Sequence, residues 1–179
     1  MDLLQRKFSA QSVALATGAT AKQITDWCNQ GQIVGQREPL GKGHKREFSF
    51  FNVMEVAVAR ALMETGVTSP GDAFRAAQRF SHTGNGGADW IGDDALQDNA
   101  PVRYPGLPFH YTHGETFVYV AGAKCSITLD DSITSVMRSL GRPAGFLALN
   151  LSAIFAATMA RMALNHAEVL DAIYGGASD

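Results

Sequence analysis

The chain has 179 residues, of which 46% are hydrophobic and 18% charged, and its formal net charge is −2. That apolar share supplies one packed domain or two small ones and excludes wholesale disorder. The only two cysteines, Cys28 and Cys125, are far apart, which excludes a zinc-binding or dithiol motif and suits a reducing, cytoplasmic setting.

Charge is unevenly spread. Residues 1–66 hold eight Lys/Arg and six Asp/Glu, whereas residues 67–179 hold seven and eleven. A slightly basic head on an acidic body fits a chain that meets nucleic acid at one end. No apolar run behind basic residues marks a secretion signal at the N-terminus. The longest apolar stretch, Gly145 to Leu164, is interrupted by Asn150, Ser152, Thr158 and Arg161. A span of ~20 residues without charge is therefore not expected, and no membrane partner is predicted.

In chain order, Ser9 is placed to cap a first helix, with Phe8 stapled onto Val13 and Gly18 as the stop. Thr20 opens a second helix, and Gln23 three residues on completes a capping box. Ile24, Trp27 and Cys28 then form one apolar face, and Gly31 closes the helix. Ile33-Val34 and Glu47-Phe48-Ser49 flank the basic, glycine-containing turn Gly41 to Arg46, which predicts a hairpin. Ser49 caps a third helix from Phe50 to Thr65, with Gly66 beyond it. Ser69, Pro70 and Asp72 open a fourth helix, whose apolar side is Phe74, Ala77 and Phe80.

Between Ser81 and Pro101 the composition shifts to Gly84, Gly86, Gly87 and four aspartates (Asp89, Asp93, Asp94, Asp98), which predicts a long loop around Trp90-Ile91. Segments 109–111, 116–120 and 125–129 are rich in aromatic and β-branched residues and predict a three-stranded antiparallel meander. A short helix from Asp131-Ser132 to Leu140 breaks at Gly141-Arg142-Pro143. A long final helix is expected from Ala144 to Tyr174. The expected organisation is a head over residues 1–82, a linker over 83–103 and an α+β module over 104–179.

Several of these pieces occur in a known order. Val13 to Thr20, then Ile24, Trp27 and Gly31-Gln32-Ile33, then Arg46-Glu47-Phe48-Ser49 and Thr65 to Ser69 together resemble the MerR-like winged helix-turn-helix family. The resemblance covers residues 8–80 and implies a double-stranded DNA partner, read by the helix after Thr20 and gripped by the wing. With the elements read from pattern beyond residue 80, the expected fold class is α+β: a winged helix-turn-helix, then a small antiparallel sheet with a long C-terminal helix.

The physical reading of the residues agrees. A helix N-terminus faces phosphate with its positive dipole end. Thr20, Lys22, Gln23 and Thr25 point outward if Ile24, Trp27 and Cys28 point in. Gln23 suits an adenine edge, and Lys22 suits guanine or phosphate. Arg37, Lys42, His44, Lys45 and Arg46 in the wing are phosphate ligands, opposed only by Glu38 and Glu47. Thr25 and Asp26 stand where the family commonly has Arg and then Tyr, which lowers the affinity expected of a single head. Trp27 reads as core rather than as a DNA contact.

The C-terminal helix, apolar nearly all round, must be buried. Leu147, Leu151, Ile154, Phe155, Thr158 and Met162 recur at three- and four-residue steps and are expected to pair two subunits. The alternative is burial within the chain's own module. His110, His113 and Glu115 cluster near one turn, but side chains three apart on a strand face opposite sides, so no metal is expected. No motif implies a cofactor or a catalytic constellation. Arg138, Arg142 and Tyr111 are candidates to line a pocket for an acidic effector, and a protein effector is equally open. The expected function is a sequence-specific transcriptional regulator acting as a homodimer on a partly palindromic operator. The alternative is a phage or mobile-element DNA-binding factor, like an excisionase or a small terminase subunit, with a C-terminal interaction module.

Overall fold

Capping residues set the first four helices. The computed structural model describes residues 3–36, 45–85, 101–129 and 133–175. Helix α1 (Ala10–Thr17) starts where Ser9 Oγ accepts the Ser12 N–H at 3.1 Å, and it ends at Gly18, whose φ of +74° is the left-handed cap that glycine favours. Helix α2 (Ala21–Asn29) starts with a reciprocal box. Thr20 Oγ1 accepts the Gln23 N–H at 3.1 Å, and Gln23 Oε1 accepts the Thr20 N–H at 2.8 Å. Helix α3 (Phe50–Glu64) uses Ser49 and Asn52 in the same way, and α4 (Pro70–Ser81) is capped by Ser69.

Helix α3 is the axis of the molecule. Every residue from Asn52 to Ala59 is buried, because α1, α4 and a C-terminal helix surround it. Phe48, just ahead of it, exchanges both backbone hydrogen bonds with Phe8, at 2.8 and 2.9 Å. The hairpin expected between Ile33-Val34 and Glu47-Phe48-Ser49 is thus replaced, among the described residues, by pairing to Phe8. Gln36 Nε2 still donates to the Glu47 carbonyl at 2.9 Å, which ties the two segments together.

Among the described residues the sheet has three antiparallel strands in the order β2–β1–β3, with β1 Thr116–Ala121, β2 Lys124–Leu129 and β3 Leu147–Asn150. Val118 is paired to Ile127 on one side and Leu149 on the other. The expected first strand at 109–111 is not one. Residues 111–113 form a 3-10 turn, and the Phe109 N–H is satisfied by Thr116 Oγ1 at 2.8 Å. The third strand comes instead from the segment expected to begin the last helix. Alternation along β1 sends Phe117 and Tyr119 toward α5 (Ile133–Ser139), and Val118 and Val120 into the main core.

The single helix expected from Ala144 to Tyr174 is three elements: β3, α6 (Leu151–Arg161) and α7 (His166–Tyr174). Two asparagines make the breaks. Asn150 Oδ1 accepts the Ala153 N–H at 2.9 Å, and Asn165 Oδ1 accepts the Ala167 N–H at 3.0 Å. Between the helices Ala163 adopts φ +57°, while the Leu164 N–H reaches Met159 O and the Ala163 N–H reaches Ala160 O. This is a Schellman close with alanine in the place glycine usually takes.

Helix α6 lies against α1 and α3, so both halves of the chain share one core. Val13, Ile24, Val53 and Phe80 belong to the same buried cluster as Leu107, Val118, Leu151, Phe155 and Met159. The described ends of the expected 83–103 linker are also fastened. Arg103 is 1% exposed and donates to the carbonyls of Phe80, Leu107 and Thr83, the last at 2.6 Å, while Asn85 N–H bonds Arg103 O. Burial pushes the Arg103 guanidinium down to about 10, still charged at neutral pH.

Candidate nucleic-acid interface

Helix α2 is sharply two-sided. Ile24, Trp27 and Cys28 are buried, whereas Thr20, Lys22, Gln23, Thr25 and Asn29 are exposed. Trp27 packs edge-on to Phe74 with ring centroids 5.3 Å apart, so its ring is core. Burial also raises the Cys28 thiol above its ordinary value and makes it a poor nucleophile.

The outward polar groups already have partners within α2. Lys22 Nζ lies 2.7 Å from Asp26 Oδ2, and this hydrogen bond raises the Lys22 pKa. Thr25 Oγ1 donates to Ala21 O at 2.9 Å and keeps its lone pairs outward. Gln23 Oε1 accepts from both Thr20 N–H and Thr20 Oγ1–H, so a base contact through that oxygen would compete with the helix cap. The face is consequently close to neutral, with one ammonium and one carboxylate in contact.

The basic segment approaches the other end of this face. Arg46 Nη2 donates to Asn29 Oδ1 at 3.1 Å, which brings Lys45 and Arg46 beside the last turn of α2. Lys45 is exposed and Arg46 half-buried. Arg37, Lys42 and His44 lie outside the described residues.

One group absent from the sequence reading governs this region. Glu55, 0% exposed on α3, accepts from Val34 N–H at 3.1 Å, Asn52 Nδ2 at 3.1 Å, Gln78 Nε2 at 3.0 Å and His82 Nε2 at 3.0 Å. It joins the chain leaving α2 to both α3 and α4. The available signal was a lone carboxylate inside an otherwise apolar helical run, Val53 to Ala59.

The residues expected to pair two subunits lie elsewhere. Leu147 is a half-buried residue of β3. Leu151, Phe155 and Thr158 are fully buried in the chain's own core, and Ile154 and Met162 are half-buried and packed against it. Leu151, Phe155 and Thr158 thus face the chain's own core, while Leu147, Ile154 and Met162 keep part of their surface open.

His110 Nε2 is 2.9 Å from Asp171 Oδ1 and its Nδ1 is 2.7 Å from Thr112 Oγ1, while Glu115 accepts from Asn150 Nδ2. The Tyr111 hydroxyl donates to the same Asp171 oxygen at 2.8 Å. These bonds hold α7 to the 111–113 turn and give His110, Tyr111 and Glu115 protein partners. Among the described residues no helix is long and apolar enough to cross a membrane. No protein-family model matches the chain, and comparison with curated proteins found no match.

Proposed function

We propose that the chain is a sequence-specific double-stranded DNA-binding regulator that reads its site with α2, as the second helix of a winged helix-turn-helix. The observation that carries the reading is the two-sided α2. Its exposed N-terminal turn holds Lys22 and Thr25, and Lys45 and Arg46 flank its other end through the Arg46–Asn29 bond. A helix end of this kind offers unpaired N–H groups and a positive dipole to phosphate, and its side chains to base edges. The Lys22–Asp26 pair keeps the electrostatic contribution of a single head small. Two heads on a partly palindromic operator would restore affinity through effective concentration. In such a homodimer the contact lies off the α6 faces already covered within the chain.

The test is selection of random-sequence duplex by the full-length protein at ~50 mM salt, followed by sequencing of the bound fraction. The expected result is one enriched motif, whose enrichment Thr25→Ala or Lys22→Ala relaxes at single positions. Retention of no DNA at that salt, or retention without any enriched motif, would reject the reading.

A further inference from the structure

The acidic half of the chain contains a basic cleft. Residues 67–179 have only seven Lys/Arg, yet Arg75, Arg79, Lys124 and Arg138 line one depression of about 1060 Å³, together with His82. The cations come from three elements: Arg75 and Arg79, one turn apart on α4, Lys124 at the start of β2, and Arg138 on α5. Among the described residues the lining has no Asp or Glu and no Phe, Tyr or Trp. From outside the cleft, Asp72 pairs with Arg75 at 2.6 Å, and buried Glu55 bonds His82. Hydroxyls of Ser126 and Ser139 and the half-buried thiol of Cys125 complete its walls.

We propose that this cleft binds a small polyanion carrying two or more phosphate groups. Like charges gathered in a concavity repel one another and focus a positive potential, which a bound anion relieves. Guanidinium groups suit phosphate because their paired N–H groups match its oxygens. The cations come from three elements of the lining, an arrangement that offers partners to more than one anionic group. The volume matches small-molecule sites, which run to about 1,000 Å³. With no aromatic platform among the described lining residues, recognition rests on the anionic groups. The fields of Arg79 and Arg75 oppose the rise that burial imposes on the Cys125 thiol, so their charge reaches the β2 wall. This site is independent of the DNA-binding reading, since none of its cations belongs to α2 or the basic segment.

The experiment is calorimetric titration of the full-length chain with tripolyphosphate, orthophosphate and a single-stranded oligothymidine, at about 0.1 M salt to suppress diffuse attraction. Tripolyphosphate should bind with one site per chain and at least about tenfold more tightly than orthophosphate. Lys124 and Arg138 are both exposed, so Lys124→Gln and Arg138→Gln should leave the melting temperature unchanged. Each should weaken tripolyphosphate several-fold, and the double variant more. As a second readout, tripolyphosphate should slow alkylation of Cys125 at about pH 8.5. Equal affinity for orthophosphate, or a double variant that binds as well as the parent, would overturn the proposal. Oligothymidine binding that is tighter than tripolyphosphate and lost in the same variants would assign the cleft to nucleic acid and overturn it as well.

Discussion

Glu55 on α3 and His82, which follows α4, meet inside the protein, with Oε2 of one 3.0 Å from Nε2 of the other. The same carboxylate takes hydrogen bonds from Val34, Asn52 and Gln78, so one side chain satisfies four donors. Removing it takes this acceptor from all four, although Asn52 Nδ2 and Gln78 Nε2 keep the carbonyls of Val34 and Gln32. Glu55→Ala should cost about 3–5 kcal/mol, since several hydrogen bonds to one buried carboxylate are lost at about 1.5–3 kcal/mol each, less what the remaining partners and water recover. Glu55→Gln, which keeps one acceptor oxygen, should lose less. Urea unfolding followed by circular dichroism checks both, and an Ala variant within about 1 kcal/mol of the parent would show that water replaces the carboxylate.

Gln23 has two roles that variants can separate. Gln23→Ala removes the reciprocal cap and should destabilise by about 0.5–2 kcal/mol. Gln23→Glu keeps the acceptor oxygen and the box, so stability should hold. A carboxylate facing DNA should nonetheless lower affinity for every sequence. Thermal melts beside fluorescence titrations would show the split. Parallel losses in both assays for Gln23→Glu would mean the helix itself was damaged.

Lys45 and Arg46 should differ in kind. Lys45 is exposed, and Lys45→Ala should leave stability alone while lowering the log–log salt slope of DNA binding by about one. Arg46 also holds Asn29 at 3.1 Å, so Arg46→Ala should change both slope and stability. An unchanged slope in both variants would take this segment out of the DNA contact.

The Tyr111 and His110 hydrogen bonds hold the Asp171 carboxyl below the usual aspartate range, and the first of them raises the Tyr111 hydroxyl above its ordinary value. A carboxylate whose folded pKa is depressed stabilises the fold above its unfolded pKa, and that contribution is lost as pH falls through the folded value. The stability difference between the parent and Asp171→Asn should therefore be present above the usual aspartate range of about 4 and shrink as pH falls below it. In the same variant the Tyr111 absorbance titration should move down. A difference that does not change with pH would mean that packing, not charge, links α7 to the 111–113 turn.

Ala163 lies at φ +57°, a conformation that L-residues other than glycine avoid. Ala163→Gly should stabilise by about 0.5–1 kcal/mol, the relief of strain exceeding the added freedom of the unfolded chain. A loss of stability in denaturant unfolding would show that the Ala163 methyl makes contacts worth more than the strain.

The same residue explains where sequence patterning stopped working. Helix starts at Ser9, Thr20, Ser49 and Ser69 were legible because each cap is a local pair of residues three apart. The end of α6 was not, because alanine fills the left-handed position and the apolar steps continue across it. β3 was hidden for a related reason: Leu147 to Leu149 suits a helix as well as a strand, and only pairing to β1 decides. Outward placement of Thr20, Lys22, Gln23 and Thr25 followed from the Ile24–Trp27–Cys28 stripe. Their engagement within the helix and with its cap did not, since Asp26 and Thr20 can equally face solvent. Burial of Leu151 and Phe155 was predicted correctly as burial, but periodicity says nothing about whether the cover comes from another copy or from α1 and α3.

That cover has a consequence for the living cell. Helices α1 and α3 leave the ribosome well before α6 is made, and at ordinary elongation rates the gap lasts several seconds. Through that interval the apolar surface that Leu151, Phe155 and Met159 will close stands open to water and to other nascent chains. The N-terminal part emerges with that surface uncovered until α6 follows it. Chaperone capture during synthesis, and degradation of chains truncated before Leu151, should therefore govern how much protein accumulates, more than the stability of the finished fold does.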